Sequence, residues 1–157
     1  METPPPPMPT EGPRLEGIAL ATFGLCVAII LGRGAALAAY VMTVNDLPGV
    51  KVDTSSVATG VVVLCFYAWS AFGIFTRDPR GYRRLRNMSL VFGILQLVYI
   101  GYAYTKLDMA MVHSLAPSLW ALIVPVPAAL VALHLVAAFV SHRAMKVLVA
   151  ADEHAFR

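Results

Sequence analysis

Charge is what this chain has least of. Of its 157 residues, 13% are Asp, Glu, Lys or Arg and 59% are hydrophobic. A water-soluble domain is about 25% charged and about 45–50% apolar, so a soluble globular fold is excluded for most of the chain. Acids are scarcest where apolar residues are densest. Apart from Glu16, at the edge of the first of four apolar stretches, none of these stretches holds an Asp or Glu. Cysteine is nearly absent too. Cys26 and Cys65 both fall inside apolar stretches rather than loops, which argues against a disulfide framework and for two small buried hydrophobes. No phosphate-cradling glycine loop, catalytic serine arrangement or pair of carboxylates is present, and Asp108 and His113 share a segment without a third ligand for a metal. The common enzymatic chemistries therefore have no visible seat. The net charge of +3 accompanies no nucleic-acid-binding pattern, and nucleic acid is not an expected partner.

What is there instead is long hydrophobic runs. Spans are expected at about 15–44, 57–76, 88–106 and 116–140, each near or above the ~20 residues that carry a helix across a bilayer. Helix is the expected state, since unpaired backbone groups in hydrocarbon are tolerated only in helices or closed barrels. A barrel would need alternating segments of about ten residues. Residues 1–14, with Pro4 to Pro7 and Pro9, read as a disordered proline-rich tail, and residues 142–157 as a short tail with helical character. Asp46-Leu47-Pro48-Gly49 is a turn signal, and Thr54, Ser55 or Ser56 is expected to cap the second helix. Short connections favour antiparallel neighbours, so the expected fold is all-α, a four-helix up-down transmembrane bundle.

The cations are not evenly spread. Arg77, Arg80, Arg83, Arg84 and Arg86 crowd between the second and third stretches, read as a loop of about ten residues with Asn87 capping the next helix. Placing this loop and both termini inside puts nine of the 12 Lys and Arg residues there and leaves only Lys51 and Lys106 outside. The positive-inside rule then predicts cytoplasmic termini and a multi-pass protein of a bacterial inner membrane, its basic loop against anionic headgroups or a partner subunit.

Three features stand out at membrane depth. Gly17, Ala21, Gly24, Ala28, Gly32 and Ala36 form a stripe of small residues along the first span, the pattern that lets helix backbones approach closely in lipid. Arg33 lies near the middle of that span, where a lone cation is costly and needs partners. Gln96 and the carbonyls of Ala121 and Ile123, freed by Pro125 and Pro127, are the candidates within the chain; a partner's acid, a lipid or a small anion are the candidates outside it. His134 is a candidate axial ligand for a haem or chlorophyll-type pigment. These features predict a non-catalytic accessory subunit of a larger bacterial membrane complex, respiratory or photosynthetic, with bound lipid and other membrane subunits as partners. The alternative is a small transporter or ligand-binding bundle with a midplane site at Arg33, Gln96 and the Pro125/Pro127 kink. A thiol oxidoreductase using Cys26 and Cys65 is a third reading.

Overall fold

The computed structural model describes residues 12–45, 51–115 and 117–155. Among them every regular element is an α-helix and none is a strand: α1 (Gly12–Asn45), α2 (Thr54–Phe75), α3 (Pro79–Lys106), α4 (Met109–Leu115), α5 (Pro117–Ile123) and α6 (Pro125–Ala155). Four stretches among the described residues are long and apolar enough to cross a membrane: Glu16–Asn45, Thr54–Phe75, Pro79–Lys106 and Trp120–Leu148. The shortest has 22 residues, about 33 Å of helix against about 30 Å of hydrocarbon. Four such helices fit a multi-pass membrane protein.

Element boundaries differ from the sequence expectation in instructive ways. The proline-rich residues 1–11 and the turn at Asp46-Leu47-Pro48-Gly49 lie outside the described residues. Asp53, rather than Thr54, Ser55 or Ser56, caps α2, its carboxylate accepting from the backbone N–H groups of Ser55 and Ser56. The basic segment is mostly helix, not loop. Arg80, Arg83, Arg84 and Arg86 lie on the first turns of α3, and Asn87 sits inside it, its Oδ1 accepting from Arg86.

The α2–α3 connection needs only three residues because both helix ends are chemically specified. Arg77 adopts the left-handed conformation (φ 59°), and the N–H groups of Asp78 and Arg77 donate to the carbonyls of Gly73 and Ile74. This is the paired capping pattern that closes a helix C-terminus. Asp78 then caps α3 through the Arg80 N–H, with Pro79 in the first turn, where its missing N–H costs nothing. The turn brings Gly73 and Gly81 backbone to backbone. A Cβ on Gly81 would lie 2.6 Å from the Gly73 carbonyl carbon and 2.7 Å from the Ile74 nitrogen, so only glycine fits.

The helices form a ring in which α1 packs on α2 and α6, and α3 packs on α2 and, most extensively, on α6. The ring is layered along its axis. Towards the end that carries the arginines, Cys26, Ile29, Tyr67, Ala71, Ile74, Tyr82, Leu85, Ala137 and Ala144 form a closed apolar core. Towards the other end the centre opens into a cavity. Large apolar side chains also cover the outside; Leu31, Phe72, Phe75, Val98 and Phe139 are each more than 60% exposed. Water would penalise that surface, and hydrocarbon would not.

Candidate functional site

Between the closed core and the cavity lies a layer of polar groups that no element supplies alone. Arg33 of α1 directs Nε and Nη2 to His134 Nε2 of α6, at 3.3 and 3.2 Å. His134 Nδ1 lies 3.1 Å from the hydroxyl of Tyr67 on α2, and the two rings stack at 5.6 Å between centroids. Phe92 of α3 places its ring 5.1 Å beneath the Arg33 guanidinium, a cation–π contact. Below, the Cys26 thiol donates to the Tyr67 carbonyl at 3.2 Å. Ser89 is fully buried, and its hydroxyl has no hydrogen-bond partner among the described residues.

The direction of these bonds follows from donor chemistry. An arginine only donates, so His134 Nε2 must accept and carries no proton. The ring proton is then on Nδ1, where it donates to the Tyr67 oxygen, and the Tyr67 O–H is turned elsewhere. The result is a fixed tautomer holding a fixed cation. Glu16, Asp53, Asp78, Asp108, Asp152 and Glu153 all fall towards helix ends, so no acid among the described residues shares this depth with Arg33.

Above the layer lies a partly open cavity of about 680 Å³. It extends from Arg33 to Tyr40 on α1 and from Phe92 to Tyr99 on α3, about 10 Å along each helix at about 1.5 Å per residue. Leu37, Val63, Leu95, Leu122 and Leu130 give it apolar walls, while Ser55, Ser56 and Thr59 line it beside the N-terminus of α2. Gln96 lines it too, and its Oε1 is buried with no hydrogen-bond partner among the described residues.

The sequence-named residues divide accordingly. Arg33 and Gln96 are brought to one cavity, but the acceptor that Arg33 finds is His134, not Gln96 or the carbonyls of Ala121 and Ile123. Pro125 and Pro127 break the fourth stretch as expected, separating α5 from α6. A pigment role does not fit His134, which is fully buried with both ring nitrogens engaged; an axial bond to a haem or chlorophyll metal would first have to displace Arg33 or Tyr67. Among the small residues of α1, Gly32 meets Leu130 of α6 and Ala36 lines the cavity, whereas Gly17, Ala21, Gly24 and Ala28 face partly or wholly outwards. In the basic cluster, Arg84 stacks over Trp69 at 4.2 Å and approaches Asp78 at 3.9 Å. Arg77 pairs with Glu16 at the surface, and Arg80 and Arg83 are exposed. Cys26 is buried and Cys65 exposed, and neither forms a disulfide.

Tyr67 and Phe92 are the members of the layer that sequence reasoning missed. The signal available was depth: a phenol in the middle of an apolar span needs a partner. Comparison with protein-family models, curated proteins and solved structures finds no match for this chain.

Proposed function

We propose that this protein is a ligand-binding membrane bundle that holds a small molecule in the cavity above Arg33. The observation that carries this reading is a cation oriented by His134, Tyr67 and Phe92 at the floor of a cavity of about 680 Å³ with apolar walls and an unsatisfied Gln96. Small-molecule sites have this composition: mostly apolar walls, a few convergent polar groups and a volume of about 300–1,000 Å³. An orienting network that served packing alone would not need an open space above it. The broken α5–α6 segment beside the cavity offers a place where the wall can move without melting a long helix. In this reading the arginine end lies in the cytoplasm of a bacterium, both termini with it, and the cavity opens towards the outer half of the inner membrane.

A second reading keeps the chain as an accessory subunit of a larger membrane complex. It is favoured by Gly24 and Ala28, which are exposed on α1 and whose small surface suits a neighbouring helix from another chain. One preparation separates the two. The protein is purified through a terminal tag in mild detergent, and both its protein and small-molecule contents are measured. A lone chain with a stoichiometric small molecule is the expected result. A stoichiometric partner subunit with no small molecule would instead establish the accessory role.

A further inference from the structure

Resting on the ligand-binding reading, we infer that the cavity takes a carboxylic acid with an apolar body and a hydrogen-bond donor beside the carboxylate. Three observations lead there. The first is charge. Arg33 is a single cation with no acid at its depth among the described residues, and only two of its five N–H groups are used by His134. A ligand with one negative charge neutralises it, whereas a neutral one leaves it uncompensated and a cation opposes it. The second is shape. A guanidinium presents a planar fork that a carboxylate meets with two parallel hydrogen bonds, and His134 and Phe92 already hold that plane in place.

The third is Gln96. Gln96 lines the same cavity, and its buried Oε1 has no donor among the described residues. Buried acceptors are seldom left so. A hydroxyl or amide N–H next to the carboxylate would supply the missing donor. The remaining lining, from Leu37, Val63, Leu95, Leu122 and Leu130, is apolar and asks for hydrocarbon or aromatic surface.

The test uses the full chain purified in neutral detergent, with thermal unfolding and tyrosine fluorescence as readouts and three probes that share one tail: 2-hydroxydecanoate, decanoate and decanol. The hydroxy acid should bind best. Losing the hydroxyl should weaken binding about two- to tenfold, and losing the charge about ten- to a hundredfold. Gln96→Leu, which leaves the His134 network intact, should erase the difference between the two acids. Arg33→Gln should erase the difference between acid and alcohol. Decanol binding as tightly as decanoate would overturn the inference and leave the ligand-binding reading standing. No binding by any probe would count against both. Two acids of equal affinity in the unaltered protein would remove Gln96 from the recognition, and displacement of decanoate by phosphatidylglycerol in nanodiscs would replace the carboxylate with a lipid phosphate.

Discussion

His134 decides the chemistry around Arg33 because it presents an acceptor to a residue that can only donate. Arg33 Nε and Nη2 hold its Nε2, and the Tyr67 oxygen accepts the hydrogen bond from Nδ1–H. Removing one member of such a chain is more damaging than removing a matched pair. His134→Leu should therefore destabilise the bundle by about 2–3 kcal/mol, since a charged donor loses its acceptor. Tyr67→Phe should cost about 1–3 kcal/mol by stranding the Nδ1 proton. The double variant Arg33→Leu/His134→Leu should recover most of the first loss. Detergent-based thermal unfolding of Arg33→Leu, His134→Leu and the double variant reads the cycle. Additive losses would show that the contact between Arg33 and His134 carries no coupling. Arg33 was legible in the sequence as a costly cation, but its partner was not. The apolar runs predict the fourth span at 116–140, whereas the stretch long and apolar enough to cross a membrane is Trp120–Leu148, whose centre falls on residue 134. The later C-terminal end of this stretch puts His134 near its middle, where it meets Arg33.

At the scale of elements, two helix ends determine how α2 is held. Its N-terminus is capped by Asp53, whose carboxyl is pulled down to about 2 by hydrogen bonds from Ser56 and Ser55. A carboxyl with a folded pKa below its ordinary 3.8 contributes stability above that value, and the contribution fades as pH falls towards 2. Protection of the Ser55 and Ser56 amides, taken relative to their intrinsic exchange rates at each pH, should accordingly fall between about pH 4 and pH 2, and Asp53→Asn should flatten that dependence while keeping a cap. At the other end, Gly73 and Gly81 touch through backbone atoms. Gly81→Val has no flexible neighbour to displace and should lower stability by about 3 kcal/mol, measured by the same unfolding assay; an unchanged midpoint would contradict the close approach. The four long apolar helices were legible from the apolar runs; the short helix α4 was not. The two-glycine contact was not, because a loop of about ten residues was expected where Asp78-Pro79 starts a helix at once.

At the scale of the whole molecule, polarity is arranged along the bundle axis. One end is a closed core ringed by arginines, the other an open cavity, and Arg33 marks the boundary. The nine-to-two distribution of Lys and Arg predicts that a cysteine introduced at Arg83 is protected from an impermeant thiol reagent in intact cells, while one at Lys51 is labelled, both in a chain whose exposed Cys65 is replaced by Ala. The reverse pattern would invert the orientation. The central claim is that the cavity holds a ligand through Arg33, and native mass spectrometry tests it most directly. The unaltered protein, gently freed of detergent, should carry one small acidic molecule per chain, and the Arg33→Leu/His134→Leu protein should be folded and carry none. The same adduct at the same occupancy on both proteins would contradict the account.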